Sequence, residues 1–346
     1  MHLLVIRTSA MGDVALTAPV ITALRKKYPE IEITLVTRPA FTPFFTSIQG
    51  LKLFTPDFKK RHKGLIGIIH LYHDIRKQNN IDHVIDLHDV LRSKILRWIF
   101  RLSGFPVFVI NKGRTEKRKV IKGESRISLK HSVERYCDVF KKAGFTVVPE
   151  KGQCIIPSSE AMKKVTGLPL AMSILNIGVA PYAKHELKMW PEENMIRLLA
   201  IIVEKHEAKY WLFGGKEEYD RLSLFHSRVP GSYIVAGNLS LGEELALMGR
   251  LDFIISMDSS NMHMASLSGT KVVSIWGGTD PITGFGAWQQ PDDFAIRIPA
   301  EDLTCRPCTI YGKGKCRRSD LACMNWLTPE KVYERLVNIG LIGTKA

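Results

Sequence analysis

Residues 253–278 read FIISMDSSNMHMASLSGTKVVSIWGG, and their order of residue types is strand, turn, helix, strand, glycine-rich turn. FIISM and KVVSI are short apolar runs with β-branched residues, the mark of strands buried on both faces. SSNMHMASLSG between them has the length of a crossover helix. A strand, a helix and a second strand in that order make a parallel unit, covered on both faces.

The same alternation extends outward in both directions. Towards the C-terminus, TPEKVYERLVNIGL begins a last helix with Thr328 as N-cap and Pro329 at the first helical position. Upstream, SILNIGVAP, AKYWLFGG and YIVAG read as strands, separated by the helices PEENMIRLLAIIVEKHE and KEEYDRLSLFHSRV. Residues 146–172 carry three Pro and few apolar runs, which predicts a domain junction. Before it, HLLVIRT, IEITLVT, IDHVIDLH and FPVFVIN are strands of an earlier unit, with VLRSKILRWIFRLSG as one of its helices. The expected fold is α/β, with two Rossmann-like, doubly wound parallel-sheet domains. The domains predicted are 1–155 and 156–327, and the helix of 328–346 is expected to pack back toward the first. Open sheets of this kind bind ligands at the carboxyl ends of their strands, so the strand-to-helix loops are where chemistry belongs.

Composition narrows the class. The chain has 346 residues, with 45% hydrophobic and 24% charged, as in a globular protein. No apolar run reaches the ~18 residues of a membrane span, and MHLLVIRTSAMGD reads as a strand rather than a signal peptide. A cytoplasmic location is the expectation. Six Cys in a chain of this length do not make a disulfide scaffold. Lys and Arg number 49 against 34 Asp and Glu, a net charge of +15, and residues 111–130 alone hold eight Lys/Arg and two Glu. Such a surface suits an acidic partner: nucleic acid, an anionic membrane face or a phosphorylated substrate.

No Gly-x-Gly-x-x-Gly follows the first strand and no P-loop signature occurs, which disfavours dinucleotide oxidoreductases and P-loop NTPases. Asp-x-Asp, the usual holder of a metal-bound sugar nucleotide, is also missing. The loops offer other groups. Asp258, Ser259, Ser260 and Asn261 stand at a helix N-terminus, where free N–H groups and the helix dipole favour phosphate. Gly277, Gly278 and Thr279 form a turn whose amides can approach an anion closely. Lys188, just before Trp190-Pro191, adds a mobile positive charge, and Glu218 sits where a carboxylate can accept from ribose hydroxyls. Each has a plain alternative: a cap, a turn, a solvated first-turn acid. Asp13 has two readings as well, an N-cap or a general base at the carboxyl end of the first strand. Pro19 either kinks the helix that follows or marks a fresh start within it.

RTSAMGDVALTAPVITALRKKYP, IDHVIDLHDVLRSK, KHSVERYCDVF, KMWPEENM, LSLGEELALMGRLDFIISMDSSNMHMASLSG and WGGTDP, in this order, resemble glycosyltransferase family 9, the ADP-heptose:lipopolysaccharide heptosyltransferases. The resemblance implies a GT-B fold whose two domains face each other across a cleft. It further implies an inverting, metal-independent transfer of heptose from ADP-heptose to the Kdo of the lipopolysaccharide inner core. By position it makes Asp13 the general base and Lys188 the neutraliser of the leaving diphosphate. Glu218 becomes the acid near the adenosine ribose, and Asp258 the holder of the donor sugar, with Ser259, Ser260 and His263 in the same loop and helix. Gly277 and Thr279 complete the donor side. Ser9, Met11 and Gly12 shape the acceptor junction, and Arg135 faces the acceptor's acids. Ser260 stands where the family usually has a more permissive residue. The implied partners are an ADP-sugar, an acidic glycolipid and the anionic inner leaflet, without nucleic acid, so the enzyme would sit peripherally on the inner face of the inner membrane.

Cys305, Cys308, Cys316 and Cys323 are spaced C-x₂-C-x₇-C-x₆-C, which can wrap a zinc. The second spacings are not those of a common zinc fold, and buried thiols or an adventitious disulfide are preferred to zinc; no cofactor is expected to be required. Two alternatives stay open: a transferase using another nucleotide sugar on a different glycan, and a non-catalytic protein binding anionic lipid or nucleic acid.

Overall fold

The computed structural model describes residues 1–78, 80–171 and 173–343, so the last three residues of the expected 328–346 segment lie outside it. It contains two α/β units. The first comprises residues 1–112 and 132–157, the second 113–131 and everything from 158 onward.

In the first unit, β1 (His2–Ile6) is followed by α1 (Met11–Ala15) and α2 (Ala18–Lys27). Then come β2 (Glu32–Val36), β3 (Leu51–Phe54), α3 (Gly64–Gln78), β4 (His83–Asp86), α4 (Leu91–Leu102) and β5 (Val107–Val109). After α5 (Arg114–Ile121), which counts with the second unit, α6 (Ser132–Lys142) returns to the first. The strands form one parallel sheet in the order β3-β2-β1-β4-β5. Leu3 pairs with both Ile33 and His83, so β1 sits in the middle. Leu3, Leu4 and Val5 are wholly buried, which is why β1 reads as an unbroken apolar run. Pro19 marks a fresh start: α1 ends before it, and α2 opens with Pro in its first turn, where the missing N–H costs nothing.

The second unit repeats the plan. After α7 (Ser159–Thr166) come β6 (Leu175–Ala180), α8 (Glu192–Lys205), β7 (Ala208–Leu212), α9 (Tyr219–Arg228), β8 (Ser232–Ile234) and α10 (Leu241–Met248). They are followed by β9 (Phe253–Met257), α11 (Ser260–Leu267), β10 (Lys271–Ile275), β11 (Ala295–Ile296), α12 (Ala322–Asn325) and α13 (Pro329–Asn338). The parallel sheet runs β11-β10-β9-β6-β7-β8.

The C-terminal helix α13 lies in the second unit, with Val332, Tyr333 and Leu336 in its core beside Leu198, Leu199 and Ile202 of α8. The basic stretch 113–131 also counts with the second unit rather than with residues 1–155. Its Leu129 N–H bonds to the Ile282 carbonyl, and a Cβ on Gly284 would meet the Lys130 carbonyl at 2.3 Å.

Each sheet has a topological switch point, where successive connections leave in opposite directions and a crevice opens at the carboxyl edge. In the first unit it lies between β1 and β4, in the second between β6 and β9.

Candidate active site

At the first switch point the chain leaves β1 through Arg7, Thr8 and Ser9. Arg7 is buried, and its Nη2 lies 2.6 Å from Asp13 Oδ2 while Nη1 donates to the Leu87 carbonyl at 2.5 Å. Burial works against its charge, but Asp13 and Tyr136 outweigh it and hold the guanidinium above its ordinary pKa. Tyr136, on α6, lies under the guanidinium at 5.6 Å and donates its hydroxyl to the Asp13 carbonyl at 3.2 Å. Asp13 stands in the first turn of α1, whose N-cap is Ala10, so the capping reading does not hold. Its carboxylate keeps about a third of its surface in solvent (32%).

A second group, unsuspected from the sequence, faces this turn. His88 follows β4, with Nδ1 3.2 Å from Thr8 Oγ1 and Nε2 3.0 Å from Ser9 Oγ. Asp86 Oδ1 accepts from the amides of His88 and Asp89, and Arg97 Nη1 bridges Asp86 and Asp89 at 2.8 and 2.9 Å. This frame holds Asp89 at φ 45°, a left-handed conformation that Asp tolerates. Burial, then Arg7, Lys112 and Arg38, push the imidazole down to about 3, so it is neutral at physiological pH. Met11 and Gly12 open α1 beside Asp13. Arg135 is buried on α6, with Nη1 donating to the Asn111 carbonyl at 3.3 Å; it does not present the open cation expected of it.

At the second switch point, Lys188 ends a short 3₁₀ turn after β6, and Asp258 follows β9. Lys188 Nζ lies 2.8 Å from Asp258 Oδ2, and the Thr279 hydroxyl donates to the same oxygen at 2.8 Å. Three strand-end loops thus converge on one buried carboxylate. Asp258 does not cap α11; Ser259 holds that position, without a side-chain cap bond. His263 is buried on α11, within electrostatic reach of His131. His131 bonds to the Gly286 carbonyl at 2.9 Å, and burial lowers it to about 4.

The glycine turn also has a packing role. The Gly278 amide donates to the Leu187 carbonyl at 2.8 Å, so it is not offered to an anion. A Cβ on Gly277 would lie 2.3 Å from Met324 Cε, and one on Gly278 3.1 Å from Cys308 Sγ. These glycines permit close packing by the cysteine-bearing segment. Arg306 in that segment, also missed by sequence reasoning, is 2% exposed. It donates to the carbonyls of Gly277 at 2.7 Å, Thr279 at 3.0 Å and Ile298. Glu218 accepts from the Gly215 amide at 2.7 Å, a local brace at the carboxyl end of β7.

The thiols of Cys305, Cys308, Cys316 and Cys323 are free. Burial raises Cys308 and lifts Cys323 to about 11, with neighbouring cysteines adding to both. Among the described residues no three His, Cys, Asp or Glu side chains are gathered as a metal site. No helix among them is long and apolar enough to cross a membrane.

The model of glycosyltransferase family 9 (heptosyltransferase) matches residues 68–308. The chain is 23% identical to lipooligosaccharide heptosyltransferase 2 of Campylobacter jejuni, covering 94% of this chain and 95% of that one. It is 22% identical to lipopolysaccharide heptosyltransferase 1 of Escherichia coli, over 88% and 95% of the two chains. Among solved structures, a family 9 glycosyltransferase from Veillonella parvula superposes with a TM-score of 0.76 at 19% identity, covering 98% and 96%. The E. coli ADP-heptose lps heptosyltransferase II gives 0.71 at 18% identity, covering 99% and 98%. An E. coli heptosyltransferase solved with ADP-2-deoxy-2-fluoro heptose gives 0.67 at 19% identity, covering 98% and 100%. The fold is GT-B, and the chain belongs to glycosyltransferase family 9, the heptosyltransferases.

Proposed function

We propose that this enzyme moves heptose from ADP-heptose to a hydroxyl of the Kdo-containing inner core of lipopolysaccharide, with inversion, Asp13 serving as general base. The observation that carries the reading is Asp13 itself: a partly exposed carboxylate at a sheet switch point, paired with Arg7, on a backbone whose carbonyl accepts from the Tyr136 hydroxyl. A base must be held within reach of the hydroxyl it deprotonates; here Arg7 holds the carboxylate and Tyr136 the main chain that carries it.

In a single displacement, the acceptor oxygen forms its bond to the anomeric carbon as the bond from that carbon to the diphosphate breaks. Asp13 takes the hydroxyl proton, and ADP departs with the electron pair. Lys188, poised at Asp258, supplies positive charge for the leaving diphosphate, the electrostatic share that other glycosyltransferases take from a metal ion. Transfer therefore needs no added divalent cation. Arg7, Lys112 and Arg38 stand around His88 with Asp13 as their opposing charge, and these cations suit an acceptor bearing carboxylates and phosphates. Ser9 and neutral His88 offer hydrogen bonds there without adding charge. The relatives named for lipopolysaccharide and lipooligosaccharide synthesis support this choice of acceptor. The acceptor's lipid anchor implies work at the cytoplasmic face of the inner membrane.

Calorimetry with ADP, UDP and GDP, with and without EDTA, tests the reading. ADP preferred, with EDTA making no difference, is the expected result. Preference for UDP or GDP removes heptose as the donor sugar, and absence of nucleotide binding removes the transferase reading.

A further inference from the structure

The outer layer of the first unit has an unusual surface. In α4 the side chains of Ser93, Leu96 and Phe100 are buried, as in any helix lying on a sheet. The opposite side is also apolar: Leu91 is 75% exposed, Trp98 54% and Leu102 82%. At about 100° per residue, positions i, i+7 and i+11 fall within about 40° of one another. In α3, Leu65, Ile66 and Ile69 are exposed in the same way, opposite the buried Ile68, Leu71 and Ile75.

These two stripes belong to one layer. Ile68, Leu71 and Ile75 of α3 and Leu96 and Phe100 of α4 share a core with Leu4, Ile6 and Val84, so both helices lie on one face of the sheet. Tyr72 and Phe100 meet edge to face at 4.9 Å, and the Tyr72 hydroxyl donates to Ser103 Oγ at 2.9 Å. Their outward faces therefore lie side by side.

The charge around them is one-sided. Residues 58–78 and 90–105 hold ten Lys and Arg against Asp74 alone, and Asp74 is occupied by Arg61 and His62. Arg101 lies over the Trp98 ring at 5.4 Å and Arg92 over Phe58 at 4.0 Å.

We propose that the exposed apolar stripes of α3 and α4 are a docking surface for an anionic lipid bilayer. Apolar side chains with Trp among them, ringed by Lys and Arg, match the acyl boundary and the headgroup charge of such a surface. A second copy of the chain fits poorly, because an isologous contact would press two cationic faces together. The N-termini of α3 and α4 lie at the carboxyl edge of the sheet, the edge that carries Asp13 and His88. Leu65, Ile66 and Leu91 would then touch the bilayer on the side from which a lipid-borne acceptor reaches the base. The inference rests on the proposed glycolipid acceptor and is tested apart from it.

The test is flotation of the full-length protein with phosphatidylglycerol-containing vesicles and with neutral phosphatidylcholine vesicles. Two double variants, Trp98→Ser with Leu102→Ser and Leu65→Ser with Ile66→Ser, are compared. Thermal stability and ADP affinity, followed alongside, confirm that each variant is folded. Expected are binding to anionic vesicles that weakens with salt, and a loss of at least tenfold in each double variant at unchanged ADP affinity. Failure of the wild type to float, or wild-type flotation by both variants, overturns the docking surface. A dimer that the same substitutions disperse, without vesicle binding, overturns it in favour of self-association. Loss of ADP binding in a wild type that still floats removes the transferase reading and leaves the surface standing.

Discussion

Replacing Asp13 by alanine removes two things at once, a base and the counter-ion of a buried guanidinium. Arg7 would be left charged and without its 2.6 Å partner, and stranding a buried charge costs about 3–5 kcal/mol, less here because Asp13 is partly solvated. Asp13→Asn is the cleaner probe, since the amide oxygen still accepts from Arg7. We expect it to lower kcat by roughly 10²–10⁴-fold with little change in ADP affinity. A variant that keeps near-normal turnover would show that the proton goes elsewhere. Lys188→Gln should act on the other half of the reaction. It removes a charge-assisted contact worth about 1.5–3 kcal/mol, so ADP affinity should fall roughly tenfold or more by calorimetry. An unchanged affinity would mean that Lys188 serves only Asp258. The positions of Asp13, Lys188 and Asp258 on strand-end loops were legible from the sequence. Their partners were not, because Lys188 and Asp258 meet only through the adjacency of β6 and β9, and His88 reaches Ser9 only because β4 lies beside β1.

The elements show where periodicity carries information and where it fails. Buried parallel strands such as β1 and β9 announce themselves as continuous apolar runs, and Thr328 caps α13 through Lys331 N at 3.3 Å as Thr-Pro at a helix start suggests. β3, α3 and α5 went unread. Leu51–Phe54 is a short edge strand, and α3 has apolar residues on both sides, which erases the amphipathic period. The glycine turn was legible as a turn but not as a packing device. Gly312 extends that device: it has φ 78°, and a Cβ there would lie 2.6 Å from Lys188 Cγ. Gly312→Ala should therefore displace the lysine as well as strain the backbone. A loss of about 1 kcal/mol of stability with a fall in ADP affinity is expected from melting curves and calorimetry. A stability change without an affinity change would detach this segment from the donor site.

Titration of buried groups acts on the whole molecule. His88 and His131 are held near 3 and 4 by burial, against 6.5 for an ordinary imidazole. Between those values and 6.5 the unfolded chain binds more protons, so stability rises with pH, by up to about 1.4 kcal/mol per unit for each. Burial raises Glu244 from 4.5 to about 8, so there the folded chain binds more protons and stability falls as pH rises through that window. Below 6.5 these two histidines, joined by His2 and His185, which burial also lowers, oppose Glu244, whose effect prevails above it. The melting temperature should climb from pH 4.5 to a maximum near 6.5 and decline toward 8. Glu244→Gln should abolish the decline and His88→Asn should shallow the climb; a flat curve in wild type would contradict both shifts. At this scale the sequence disclosed two sheets and the family, but not the reassignment of residues 113–131, which depends on contacts such as Leu129 with Ile282.

Arg306 has a consequence in time. The carbonyls of Gly277 and Thr279 find their donor in a side chain more than 25 residues further along. During synthesis, the strands of the second sheet up to β10 can emerge and pair before Arg306 has left the ribosome. The turn of Gly277–Thr279 cannot. A nascent chain would carry an almost finished sheet and an unfinished turn until the segment that holds Arg306 is free.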